Sequence, residues 1–127
     1  ANDVASFAQR LIIIIANQSK RTFVEKVDFL TSPGFLTGPG AREKAGLPAG
    51  TGPYRVLTQL GVYGFEPKTK KLMLISLHPG VTLDEVKDNS SFEINIPPRI
   101  DTSPEPPDEC LKILREKIDP AGIVLGK

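Results

Sequence analysis

Cysteine and histidine are nearly absent: the 127 residues hold one of each, Cys110 and His78. A single cysteine excludes an internal disulfide framework and fits a reducing compartment, so a cytoplasmic location is expected. One His and one Cys cannot build the usual His/Cys zinc sites, and no metal is expected. Charge of one sign is missing too. Lys plus Arg is 16 and Asp plus Glu is 15, a net charge of +1, without the basic excess of a nucleic-acid binder. The longest apolar run, Leu11 to Ala16, is far shorter than the roughly 20 residues that span a bilayer. Neither a nucleic acid nor a membrane is an expected partner. The G-x-x-x-x-G-K-[ST] spacing of a P-loop is absent. So are an initiating Met and a signal-peptide pattern: the chain starts Ala1-Asn2-Asp3. That start is expected to reflect processing, trimming or a partial chain.

What is present is one domain's worth of chain, 39% hydrophobic, as in a soluble globular protein. Leu11-Ile12-Ile13-Ile14-Ile15 is apolar throughout and β-branched after its first residue. Such a short run predicts a strand buried on both faces, in a parallel sheet layered with helices. Before it, Val4, Phe7, Ala8 and Leu11 have helical spacing, with Asn2 or Asp3 as cap. Thr22 to Thr31 fits period 2 and period 3.6, and is read as a strand.

Residues 32–53 are the least regular part, with ten Gly or Pro in 22 residues. Glycine permits positive φ and proline restricts φ, so an ordered path is expected, with one helical turn over Ala41 to Ala45. Two roles are open for this loop. It presents backbone N–H groups to a phosphate or carboxylate, or it covers a sheet edge.

Tyr54 to Leu60, continued by Gly61 to Glu66, pairs across a Pro67–Lys70 turn with Lys71 to Leu77, an antiparallel hairpin. Thr82-Leu83-Asp84-Glu85 is a capping box that opens a helix to about Asp88. Phe92, Ile94 and Ile96 alternate as a last strand. Pro97 to Pro107 is extended. Asp108 then caps a helix with Leu111, Leu114 and Ile118 on one face.

Few residues suggest chemistry. His78 sits at a strand end before Pro79 and, as a general base, lacks a partner visible in sequence. Packing or hydrogen bonding there is its favoured role. Cys110 lies near a helix start, which lowers a thiol pKa, but a half-buried small hydrophobe is the favoured reading. The basic pairs Lys20-Arg21 and Lys68 to Lys71 are read as solvated turns, with contact to an anion such as a nucleotide phosphate as the alternative for Lys20-Arg21.

Several segments together resemble the β subunit of glutaconate CoA-transferase-type CoA transferases. Lys20 to Gly34, KRTFVEKVDFLTSPG, resembles that subunit's KRRF-x-x-K-x-D-x-x-TSPG segment. Gly38 to Pro48, GPGAREKAGLP, resembles the loop that follows. Tyr54 to Phe65 and the HPGVT turn, His78 to Thr82, resemble the hairpin, and Leu114 to Pro120 the final helix. The match runs in order along nearly the whole chain. Where the family often has His before Glu-Lys-Arg, this chain has Asn17-Gln18-Ser19.

The resemblance implies an α/β fold: part of an open, mostly parallel sheet with helices, plus the antiparallel hairpin. It implies that residues 1–127 are a single C-terminal portion of the β subunit, with 32–53 as a loop inside it. The family's glycine-rich run ends in GGAND or a close variant, so the chain looks cut just after that loop. Ala1 and Asn2 are then the remnant of the substrate and CoA pocket. The family's chemistry is attack of a Glu carboxylate on an acyl-CoA thioester, giving an acyl-glutamyl anhydride and then a glutamyl-CoA thioester. That Glu belongs to an ESG-like motif not present here, so no catalytic residue is expected in this chain. CoA is a substrate and no cofactor is implied. The implied partners are a CoA-transferase α subunit, acyl-CoA and carboxylic acids.

The HPGVT and YRV-x-x-LGV-x-x-F pieces also resemble CoA-dependent hydrolases that open rings in steroid degradation. The TSPG…GPG…GLP loop favours the transferase side. A different class, a non-catalytic assembly module that kept only the scaffold, is the other alternative. Under the enzyme reading, Leu11–Ile15 is a central strand whose neighbours lie partly outside the chain, and the isolated piece exposes an apolar edge.

Overall fold

A computed structural model describes residues 2–124. Its centre is a five-stranded sheet in the order β1-β2-β3-β4-β5. The strands are β1 (Leu11–Ile15), β2 (Pro53–Thr58), β3 (Gly61–Phe65), β4 (Leu72–Leu77) and β5 (Asp101–Thr102). The helices are α1 (Asn2–Phe7), α2 (Ala41–Lys44), α3 (Leu83–Asp88) and α4 (Asp108–Ile113). The sheet is mixed. The outer pairs β1/β2 and β4/β5 are parallel, and β2/β3/β4 is an antiparallel meander.

The meander has one more reversal than expected. Tyr54 to Glu66 does not run straight, because the Thr58 hydroxyl accepts the N–H groups of Leu60 (3.1 Å) and Gly61 (3.3 Å). This side-chain turn folds β3 back onto β2. Gly61 is required there, since a Cβ would run into the Ser76 carbonyl oxygen. The Glu66–Lys71 turn closes the expected hairpin: the Lys70 N–H donates to Glu66 O (2.8 Å) and the Glu66 N–H to Lys71 O (2.9 Å).

One hydrophobic core lies on the sheet, built from Phe23, Val56, Leu60, Tyr63, Leu74, Val86 and Ile94. Val86 reaches it from α3, whose start is the expected capping box between Thr82 and Glu85. Phe23 packs 5.4 Å from the Tyr63 ring and stacks on Phe92 at 6.0 Å.

Four local expectations are corrected. β1 is not buried on both faces. Ile13 and Ile15 pack on the core, but Ile12 is 56% and Ile14 78% exposed, and β2 is its only paired neighbour among the described residues. Residues 22–31 form turns rather than a strand. The Thr22 and Phe23 N–H groups both donate to Ser19 O, and the Phe23 carbonyl accepts the N–H and hydroxyl of Ser91. Ser91 to Ile96 is not a strand either. Asn95 makes one isolated parallel bridge to Met73, and the pairing ends before Pro97 and Pro98, neither of which has an N–H. Its alternation places Ile94 in the core. Finally, Asp108 does not cap α4: Pro107 occupies the cap position, with no side-chain cap bond. The helix widens after α4 into a π-turn, Leu114–Ile118, closed by Asp119 N to Leu114 O at 2.8 Å. Leu111 and Leu114 are half-buried, while Ile118 is exposed.

Candidate functional site

The one predicted pocket residue within the described range is Asn2; Ala1 lies outside it. Asn2 opens α1, and its Oδ1 accepts the Ser6 hydroxyl at 3.2 Å, one helical turn on. Asn2 and Ser6 line a cleft of about 240 Å³, whose other wall comes from Thr31, Ser32, Pro33 and Leu47. The cleft thus lies between the start of the chain and the Gly/Pro loop.

Arg42 holds those two walls together. It is 3% exposed, on α2 inside the loop. Its Nη1 donates to Gly34 O (2.7 Å), and its Nη2 to Ser6 O (2.7 Å) and the Thr51 hydroxyl (3.0 Å). One guanidinium therefore joins α1 to both ends of the loop, as its planar fork of donors allows. The one-turn helix and the ordered path expected of this loop are both present. Arg42 itself was not singled out from sequence; its signal was a lone Arg between the breakers of Gly38-Pro39-Gly40 and Gly46-Leu47-Pro48.

The other candidates sit in structural roles. His78 is half-buried, with Nε2 3.0 Å from the Thr58 carbonyl. A carbonyl only accepts, so Nε2 carries the hydrogen and is no base toward that side. Nearby, Gln18, three residues beyond β1, is 1% exposed and centres a polar network. Its Oε1 accepts the hydroxyls of Tyr63 (2.7 Å) and Thr58 (2.9 Å), and Gln59 clamps its backbone N–H and carbonyl. Cys110 is exposed rather than half-buried, because α4 makes no broad packing contact with the sheet. Lys20, Arg21, Lys68 and Lys71 are exposed, as solvated turns should be.

None of the eight glutamates is buried. Glu66 and Glu93 do line a groove of about 830 Å³. Glu66 is committed to its turn, accepting the N–H groups of Lys68 and Thr69. Hydrogen bonding, first from the Thr69 side chain and then from those N–H groups, lowers its pKa, which weakens it as a nucleophile. Among the described residues no cluster of His, Cys, Asp and Glu suits a metal, and no helix is long and apolar enough to cross a membrane.

A mixed sheet with this loop and this ordered motif set defines a class. The coenzyme A transferase family pattern matches residues 1–89, and the chain belongs to that family. It is 36% identical over 121 residues to the β subunit of glutaconate CoA-transferase from Acidaminococcus fermentans, covering 94% of this chain and 44% of that protein. The crystal structure of glutaconate coenzyme A-transferase from Acidaminococcus fermentans superposes with a TM-score of 0.91 at 34% identity, covering 100% of this chain and 48% of that one. The cholesterol ring-cleaving hydrolase IpdB subunit of Mycobacterium tuberculosis is 33% identical over 113 residues, covering 86% of this chain and 42% of the relative. The chain spans less than half the length of these relatives. The family read from the motifs and the family found by comparison are the same, and the α/β fold expected from it is the fold observed.

Proposed function

We propose that the chain is the C-terminal portion of a CoA-transferase β subunit, which moves CoA between carboxylic acids. The acyl-glutamyl intermediate forms on a Glu outside residues 1–127. The chain supplies framework: the sheet, the meander and the loop that Arg42 ties to α1. A partner α subunit completes the pocket, in which Asn2 stands at the margin. CoA and the acyl-CoA are substrates, and no cofactor takes part.

The observation that carries this reading is the superposition of the whole chain on less than half of glutaconate coenzyme A-transferase, at a TM-score of 0.91. The solvated or turn-bound state of every glutamate agrees with it. A carboxylate that attacks a thioester needs a dry site with donors aimed at the developing oxyanion.

A second reading, part of a CoA-dependent ring-opening hydrolase, is favoured by the likeness to the IpdB subunit. The two differ in the acceptor, a carboxylate or water. The test is reconstitution. The chain alone, and the chain within a complete β subunit combined with its α subunit, are assayed for CoA exchange and for thioester hydrolysis. The expected result is no turnover by the chain alone and acetate-dependent or dicarboxylate-dependent CoA exchange by the complete complex. Hydrolysis of a steroid-derived acyl-CoA without exchange selects the second reading. No activity in the complete complex with any acyl-CoA selects a scaffold without chemistry.

A further inference from the structure

A second cleft, of about 280 Å³, opens between the approach to β1, the Gly/Pro loop and the β3–β4 turn. Three cations line it, Arg10, Arg42 and Lys70; Glu43, exposed on α2, is the carboxylate among its lining residues. No ion pair joins these cations to an acid: among the described residues, the only salt bridges are Lys87–Asp84 and Arg99–Asp101.

Each cation is held in place without a counter-charge. Arg42 is buried, its Nη groups bond only neutral oxygens, and its Nε is buried with no acceptor. A buried, unpaired guanidinium is costly, and an anion beside it offsets that cost. Gly52, also in the cleft wall, packs against this edge: a Cβ there would lie 3.1 Å from Arg42 Nε. Arg10 lies 4.9 Å above the Tyr54 ring, and the Lys70 ammonium 5.5 Å from the Phe35 ring. Lys70 also has a φ of 61°, a left-handed conformation rare outside glycine and asparagine. The turn that Glu66 organises holds it there.

We propose that this cleft binds a phosphate group of the acyl-CoA substrate, with Arg10 and Lys70 closing on it over the charge of Arg42. The proposal rests on the CoA-transferase reading for the identity of the ligand. The chemistry itself is that of a phosphate or diphosphate anion among fixed cations, which charge-assisted hydrogen bonds favour. The 3′-phosphate and the diphosphate of CoA are the two groups that fit, and the probes below tell them apart.

The test uses the complete complex, with Arg10→Gln and Lys70→Gln introduced separately and Arg99→Gln as a charge control elsewhere on the surface. Each cleft variant should raise KM for acyl-CoA about tenfold with kcat within about twofold, and the control should change neither. Unchanged kcat also certifies folding. In calorimetric titration, adenosine 3′,5′-bisphosphate or inorganic pyrophosphate should bind the complex, about tenfold more weakly in each cleft variant. Sensitivity confined to the bisphosphate assigns the 3′-phosphate; sensitivity confined to pyrophosphate assigns the diphosphate.

A complex that exchanges CoA with an unaltered KM in both variants overturns the proposal and leaves the transferase reading standing. Binding of these probes through Arg10 and Lys70 in a complex that exchanges no CoA supports the anion site and overturns the transferase reading. Inorganic phosphate binding as tightly as both probes overturns the assignment to CoA.

Discussion

Replacing Gln18 by leucine keeps most of its volume and deletes its hydrogen bonding. Gln18 is 1% exposed, and its Oε1 accepts the Tyr63 hydroxyl at 2.7 Å and the Thr58 hydroxyl at 2.9 Å. Both Thr58 lone pairs already serve the Leu60 and Gly61 N–H groups, so Thr58 donates to Gln18 and the amide orientation is settled. In Gln18→Leu, Thr58 retains the Gly61 carbonyl at 3.4 Å as a weak substitute. Tyr63, fully buried, keeps only the Thr58 hydroxyl beside it, whose lone pairs already serve the Leu60 and Gly61 N–H groups, so its own hydrogen is left without a free acceptor. One orphaned buried donor costs about 1–3 kcal/mol, partly offset because Gln18 Nε2 is itself buried without an acceptor. A net loss of about 2 kcal/mol is expected. Tyr63→Phe removes the donor and leaves Oε1 paired with Thr58, so about 1 kcal/mol is expected. The double variant should fall about 1–2 kcal/mol short of the sum, because the orphan no longer exists. Urea midpoints at fixed protein concentration and constant slope measure this. Additive losses would refute the reasoning. The same pair predicts an alkaline limb. Burial raises the Tyr63 pKa above 10.0, against the lowering hydrogen bonds of Gln18 and Thr58. Its contribution is therefore intact below pH 10.0 and lost as pH rises through the folded-state pKa, and Tyr63→Phe should flatten that loss.

Three further outcomes are expected. The exposed β1 edge, with Ile14 78% exposed, should make the isolated chain self-associate. Sedimentation velocity should show Ile14→Lys shifting it toward monomer, and a compact wild-type monomer contradicts this. Thr82→Ala removes the acceptor for the Glu85 N–H at 3.3 Å and should lower stability by about 1 kcal/mol, read as a urea midpoint shift. Gly61→Ala drives a methyl into the Ser76 carbonyl and should cost about 3 kcal/mol, whereas Ala at a loop position with free space, Gly40, should cost about 1, the strain of its φ of 72°. Equal losses in thermal unfolding would deny the close β3–β4 approach.

Local chemistry was the most legible part of the sequence. The Thr82–Glu85 capping box, the short helix at Ala41 and the hairpin around Pro67–Lys70 depend on residues within a few positions of each other. What was hidden depends on distant partners. Phe92, Ile94 and Ile96 alternate as a strand would, yet the edge of β4 is taken by Asp101–Thr102 and one bridge at Asn95. The Thr58 turn was missed because Gly61 was read as part of a continuing strand, and the hydroxyl that reverses the chain gives no glycine-proline pair to mark it. β1 looked doubly buried because all five of its residues are apolar, so the alternation of its burial left no trace in composition. Asn2 was singled out only through family motifs, not by any local pattern. Arg42 became visible only once Ser6, Gly34 and Thr51 converged on its guanidinium.

Mapping the covalent intermediate tests the central claim most directly. The complete complex is incubated with acyl-CoA, the glutamyl thioester is trapped with borohydride, and peptides are sequenced by mass spectrometry. The account predicts a single reduced glutamate located outside residues 1–127, and none among Glu25, Glu43, Glu66, Glu85, Glu93, Glu105, Glu109 and Glu116. A reduced residue at any of those eight positions would contradict it.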